Sequence, residues 1–187
     1  MSVNAIVFDF YGVISSDDLW DFVGVDKQSR SQVHELADQV NLGQLDWDEY
    51  CKKLSIASDR RLEEINTMYW AYRINRNLIG YIGQLKQNYK IGLLTNANRG
   101  HIEAILEEIG AQNDFDAVVV SADVGMIKPQ PRIYKEMLRR LSVEAEEAVF
   151  IDDAAINVEG AEAVGMKAIL FENTAQLRTD LEKVLSR

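Results

Sequence analysis

Short runs of apolar residues punctuate the chain: "AIVF" (5–8), "IGLL" (91–94), "AVVV" (117–120), "AVFI" (148–151) and "AILF" (168–171). Each is continuously apolar rather than alternating, the pattern of a strand covered on both faces. After residue 90 these runs alternate with stretches of helical period at 99–109, 131–142, 155–164 and 174–185, and Gly110 and Gly165 stand where helix C-caps fall. The alternation predicts an α/β fold with a Rossmann-like parallel sheet. Residues 15 to about 77 interrupt it. "LWDFV", "VHELADQVN", "WDEYCKKL" and "LEEINTMYWAYRI" carry helical spacing with no strand between them. The expected organisation is a core of residues 1–14 and 78–187 with an inserted all-helical cap over 15–77. Ligands of open α/β sheets bind at the carboxyl ends of the strands, so an insert after the first strand is placed to cover a pocket.

Composition narrows the class. A chain of 187 residues that is 47% hydrophobic can bury a sizeable core. Its net charge of -10 argues against nucleic acid or an anionic membrane as a partner. A small anionic substrate stays compatible with that charge if a bound cation and a lysine invert the field locally. The single cysteine, Cys51, has no partner for a disulfide or a zinc site and is assigned to packing in a reducing compartment. The first strand begins almost at Met1, with no room for a signal segment, and no apolar run is long enough to span a bilayer, so a cytoplasmic location is expected. Oligomeric state is not legible.

Polar signals gather where the strands end. Asp9 follows "AIVF" in "FDFYGVI"; Thr95 and Asn96 follow "IGLL"; Lys128 lies beyond "AVVV"; Asp152 and Asp153 follow "AVFI". Each has an ordinary structural reading. Asp9 suits a turn before glycine, Thr95 and Asn96 suit a helix start, the acid pair suits an N-cap, and Lys128 suits a solvated surface. Yet adjacent carboxylates at the end of a buried strand repel each other unless a cation is near, and Mg²⁺ takes one or two carboxylates while leaving positions for phosphate oxygens. The chain's only two prolines, Pro129 and Pro131, stiffen the loop around Lys128. All these signals falling at one sheet edge point to a site.

The four segments "FDFYGVI", "LLTNAN", "GMIKPQPRIY" and "FIDDAAINVEGA" resemble, in order and spacing, the four motifs of the haloacid dehalogenase superfamily of hydrolases. The helical insert after the first is similar to the cap of the subgroup that includes sugar-phosphate phosphatases and the phosphatase domain of soluble epoxide hydrolase. The resemblance implies Mg²⁺-dependent hydrolysis of a small phosphorylated metabolite through an aspartyl-phosphate. Asp9 would be the nucleophile; Asp9, the Tyr11 carbonyl and Asp153 would hold Mg²⁺, with Asp152 orienting metal-bound water. Lys128, Thr95 and Asn96 would hold the phosphoryl group, and Asn157 would reach the metal's surroundings.

One position departs from the pattern. Family phosphatases usually carry an aspartate two places after the nucleophile as proton donor and later base; here Tyr11 stands there. A phenol with an ordinary pKa of about 10 donates a proton but is a poor base near neutrality. The same tyrosine resembles the metal-independent 2-haloacid dehalogenases of the superfamily, which carry serine and asparagine where this chain has Asp152 and Asp153. The acid pair favours the phosphatase over the dehalogenase, because it would repel a haloacid carboxylate without a metal. A non-catalytic member that binds a phosphorylated ligand or a protein partner is the third reading. Asp17 and Asp18 are the nearest unassigned acids to Tyr11 in sequence.

His34 and His101 lack ligand-like neighbours and are assigned to surface or packing. Trp20, Trp47, Trp70, Tyr69 and Tyr72 are expected to form the cap core, with one or two facing the pocket. Arg73 and Arg76 read as solvated helix charges.

Overall fold

The computed structural model describes residues 2–16 and 30–186. Five strands, β1 (Ala5–Phe8), β2 (Lys90–Thr95), β3 (Ala117–Val120), β4 (Ala148–Asp152) and β5 (Lys167–Leu170), form one sheet in the order β3-β2-β1-β4-β5. Every pairing is parallel. The described helices are α1 (Arg30–Asn41), α2 (Trp47–Ser58), α3 (Leu62–Tyr69), α4 (Arg76–Leu85), α5 (His101–Glu108), the one-turn α6 (Ser121–Val124), α7 (Pro131–Leu141), α8 (Ala155–Glu162) and α9 (Thr174–Leu185). The expected α/β, Rossmann-like parallel architecture is present.

Alternation along the central strand builds both halves of the core. Ile6 and Phe8 face one cluster with Ile82 of α4, Ile105 of α5 and Leu177 of α9. Ala5 and Val7 face the other, with Ile133 and Met137 of α7 and Ala161 of α8. Both faces of β1 are therefore dry, which is why its sequence is apolar without a break. Fully burying a side chain such as Phe8 is worth about 1.5–3 kcal/mol, so these layers hold the strand ends in fixed register. That register sets the site. Phe8 pairs with Leu93 on one side and Ile151 on the other, and the N–H of Asp9 extends the ladder to the Ile151 carbonyl at 2.9 Å. Asp9 thus emerges between the ends of β2 and β4, where the strand order changes direction.

Helix ends follow local chemistry. Gly110 and Gly165, with φ of 72° and 94°, lie just beyond α5 and α8. The helix expected from residue 99 starts at His101, because Gly100 is its left-handed N-cap. "LEEINTMYWAYRI" is helical only to Tyr69 rather than through Ile74. Its second half instead turns back to the core beside the outgoing chain: Ser16 N–H donates to the Arg73 carbonyl at 3.0 Å, and Asn75 N–H to the Ile14 carbonyl at 2.9 Å.

Between those passages, α1, α2 and α3 pack on a cluster of their own made by Val33, Ala37, Val40, Leu45, Tyr50, Cys51, Leu54 and Ile65. Among the described residues of this segment there is no strand. Cys51 is buried there, its thiol pushed up to about 12 by burial and by Asp48. "LWDFV", with Trp20, lies outside the described residues, as do Asp17 and Asp18. No described helix is long and apolar enough to cross a membrane.

Candidate active site

Buried strand ends bring Asp9, Asp152 and Lys128 together. Lys128 Nζ lies 2.6 Å from Asp9 Oδ1 and 2.7 Å from Asp152 Oδ2. Its side chain is 1% exposed, so the ammonium is held by these carboxylates and not by water. Burial pulls the lysine down, but the two carboxylates outweigh it and move its pKa up. Burial also pushes the Asp9 carboxyl up, Lys128 opposing and Asp152 adding to the shift. One cation serving two acids leaves Asp9 short of positive charge.

The neighbours of this centre act on its geometry. Both Asp152 oxygens are engaged: Oδ1 accepts from Ala154 N–H at 2.8 Å, Oδ2 takes Lys128, and Asn157 Nδ2 sits 3.1 Å from each. The Asn96 amide clamps the Lys128 backbone, accepting its N–H at 2.9 Å and donating to its carbonyl at 3.1 Å. This clamp uses one of the two Nδ2 protons of Asn96. Thr95 differs: its Oγ1 is buried and has no hydrogen-bond partner. A buried hydroxyl without a partner costs about 1–3 kcal/mol, a penalty a ligand oxygen would remove.

The donor set suits a hard divalent cation. Asp9, Asp152 and Asp153 each offer a carboxylate oxygen within 4.8 Å of the others. Three carboxylates against one ammonium leave a net of two negative charges, and an all-oxygen donor set matches Mg²⁺. Asp153 is the exposed member; burial and the charge of Asp152 push its carboxyl up, as expected for an acid lacking a full counter-charge. Gly12 makes room for it. At φ 79° this residue has the left-handed conformation, and a Cβ there would lie 2.2 Å from Asp153 Oδ2. The motif glycine is thus a spatial requirement of the acid pair as well as a turn.

Above the acids lies a cavity of about 320 Å³. Asp9, Tyr11, Asn96, Lys128 and Asn157 line its floor, while Thr95, Asp152 and Asp153 are not on its lining. Trp47, Tyr50 and Tyr69 from the helical insert form an aromatic wall, and His34, Asp38 and Asn41 contribute a polar one from α1. His34, expected on the surface or in packing, is exposed and borders this cavity. Positions 34, 38 and 41 follow the i, i+4, i+7 spacing of one helix face, which is the signal that could have found them. His101 is 2% exposed, in line with a packing role, and neither ring nitrogen has a hydrogen-bond partner. Trp70 is half-exposed, its ring 4.5 Å from that of His101. Arg73 and Arg76 are exposed and do not line the cavity.

Comparison with known proteins places the chain among relatives of one family. A family model described as haloacid dehalogenase-like hydrolase matches residues 3–165. The rat protein named bifunctional epoxide hydrolase 2 is 34% identical over 151 residues, 73% of this chain but 27% of that protein, so the match spans little more than a quarter of the relative's length. A D-ribitol-5-phosphate phosphatase of Bacteroides thetaiotaomicron is 28% identical over 204 aligned positions, covering 98% of this chain and 99% of the relative. Among solved structures, a family enzyme of Bacteroides thetaiotaomicron in complex with magnesium and inorganic phosphate shares the fold with a TM-score of 0.72 at 18% identity, over 94% of this chain and 98% of that one. With that family match over residues 3–165, the chain belongs to the haloacid dehalogenase-like hydrolases.

Proposed function

We propose that this hydrolase is a Mg²⁺-dependent phosphatase acting on a small phosphorylated metabolite, with residues 15–77 as its cap. The observation that carries the reading is the cluster of Asp9, Asp152 and Asp153 around the buried Lys128, beneath a covered cavity. That cluster is two positive charges short of neutrality, which suits a divalent cation and does not suit a haloacid carboxylate alone. The likeness to a sugar-alcohol phosphate phosphatase, and to an enzyme that holds magnesium and phosphate, supports the same class.

In this reading Asp9 attacks phosphorus in line and carries the phosphoryl group as an acyl phosphate. Lys128 and the Thr95 hydroxyl hold the transferring oxygens, and Asn96 keeps the Lys128 loop in place through its backbone clamp. Asp9, the Tyr11 carbonyl and Asp153 are the groups that would hold Mg²⁺. When bound, the ion supplies charge neutralisation for the phosphoryl oxygens and lowers the Asp9 carboxyl toward its ionised form. Asp152 braces Lys128 and receives Asn157, so its part is orientation.

A panel of phosphorylated metabolites assayed for phosphate release with and without Mg²⁺ tests the proposal. Release that requires both Mg²⁺ and Asp9, lost in Asp9→Asn without loss of the folded state, is the expected result. Chloride release from a 2-haloacid in the absence of metal would instead identify a dehalogenase. Binding of Mg²⁺ and phosphate esters with no turnover would identify a binding protein.

A further inference from the structure

The wall that the insert gives to the cavity is polar without being cationic. His34, Asp38 and Asn41 line it from one face of α1, and the adjacent row of that helix, Val33, Ala37 and Val40, is buried in the insert's own core. Burial of the apolar row fixes the roll of the helix, so packing presents the polar row to the cavity. Among the described residues that line the cavity, Lys128 is the only lysine or arginine, and its ammonium is already held by Asp9 and Asp152 at 2.6 and 2.7 Å. The exposed carboxylate of Asp38 thus stands on a wall that offers a second anion no ammonium or guanidinium. The aromatic part of the wall narrows the choice of ligand further. Trp47 lies 3.6 Å from the Tyr69 ring at 27°, and His101 3.8 Å from it at 24°. Two rings so close and so nearly parallel cannot share a face, so both faces of Tyr69 are covered and it turns an edge to the cavity. An aryl leaving group finds no face of Tyr69 to stack on. The cavity of about 320 Å³ is also at the small end of the range for ligand pockets, about 300–1,000 Å³, and the phosphoryl group takes part of it.

We infer that Asp38 is a specificity-determining residue of this site: with His34 and Asn41 it takes the hydroxyls of a small, uncharged, polyhydroxylated aliphatic leaving group, and its carboxylate turns away esters that carry a second phosphate or a carboxylate. The inference deepens the phosphatase reading above and rests on it. An ionised carboxylate only accepts hydrogen bonds, whereas an amide such as that of Asn41 both donates and accepts, so the row can engage a hydroxyl through its proton and through its lone pairs. A carboxylate or phosphate oxygen in the place of that hydroxyl has no proton to give Asp38, and the two like charges repel. The ends of the substrate are thereby told apart. Lys128 on the floor suits the anionic phosphoryl end, and the α1 row suits the uncharged end, so a substrate with an anion at each end fits neither way round.

The test compares phosphate release, with Mg²⁺ present, from glycerol, tetritol and pentitol monophosphates and from the counterparts whose terminal CH₂OH is a carboxylate. On the polyol esters the parent's kcat/KM should exceed that on the acids by about tenfold or more, and the ratio should shrink as salt is raised, because it arises from a partly screened repulsion. Asp38→Asn keeps the size of the side chain and removes its charge; it should cut the ratio about tenfold, chiefly by raising kcat/KM on the acids, and Asp38→Lys should reverse the preference. Asn41→Ala, which removes hydrogen bonds but no charge, should lower kcat/KM on the polyol esters about threefold to tenfold. A merely structural role for Asp38 would lower both series alike and leave their ratio where it was. Equal turnover of the two series by the parent, an unchanged ratio in Asp38→Asn, or a parent that hydrolyses acetyl phosphate but no polyol ester would overturn the inference and leave the phosphatase reading intact. A parent that releases phosphate from no ester and no acyl phosphate overturns both.

Discussion

His101 makes the stability of this protein depend on pH in a way that can be calculated. Its imidazole is 2% exposed, stacked on Tyr69, and hydrogen-bonded through neither nitrogen. Burial lowers its pKa from 6.5 to about 4. Its place at the first position of α5, where the helix end carries partial positive charge, disfavours the imidazolium as well. Between those two values the unfolded chain binds a proton that the folded chain refuses. The His101 contribution is therefore complete above about pH 6.5 and lost as pH falls toward 4. At pH 5 the loss is about 2 kcal/mol, equivalent to roughly 4–8 °C in Tm for a domain of this size. Other groups titrate in the same window, so the measurement is a difference. Urea unfolding of the parent and of His101→Phe at pH 8 and pH 5 should show the variant losing about 2 kcal/mol less than the parent. The phenyl ring overfills the site somewhat, which shifts both pH values alike and leaves the difference interpretable. Parallel pH dependence in the two proteins would mean that His101 accepts its proton without resistance and that the burial argument is wrong.

Gly12→Ala forces a side chain into a left-handed turn and into Asp153; calorimetry should show weaker Mg²⁺ binding, and unfolding a loss of about 1–2 kcal/mol from the backbone alone. Lys128→Met leaves Asp9 and Asp152 buried without their cation; the cost should be about 3–5 kcal/mol, with Mg²⁺ raising the Tm of the variant more than that of the parent. Asp152 and Asp153 should separate by assay. Asp152→Asn breaks a fully engaged carboxylate and should lower Tm, whereas Asp153→Asn should leave Tm nearly unchanged and weaken Mg²⁺ affinity more. Equal magnesium affinity in both variants and the parent would remove Asp153 from the metal site.

What was legible in the chain was whatever repeats along it. The apolar runs located all five strands to within a residue or so, because strands covered on both faces leave no room for polar interruption. Asp9, Thr95 and the acid pair were legible for the same reason, each lying where such a run ends, and Lys128 through the two prolines of its loop. Contacts that depend on the insert folding back were not. Spacing continued α3 through Ile74, whereas the helix ends at Tyr69 and the chain beyond it pairs Ser16 with Arg73 and Ile14 with Asn75. Tyr69 and Asn98 are 29 residues apart and lie on different packing units, so no local period joins them. Asn96 was legible as a site residue, yet its amide serves the backbone of Lys128 across 32 residues, a partnership only the loop geometry reveals.

The tyrosine at position 11 fits the electrostatics of its surroundings. Asp9, Asp152 and Asp153 already outnumber the single buried ammonium of Lys128, and burial pushes Asp9 up. A fourth carboxylate two residues from Asp9 would raise it further and lean more heavily on a bound cation. A phenol adds a proton donor without adding charge. It also packs, with the Phe10 ring edge-on at 5.1 Å and the stack of Tyr69 and His101 nearby. Such packing cannot be made by a short acid, so the aromatic insert wall and the aromatic at position 11 belong to one solution.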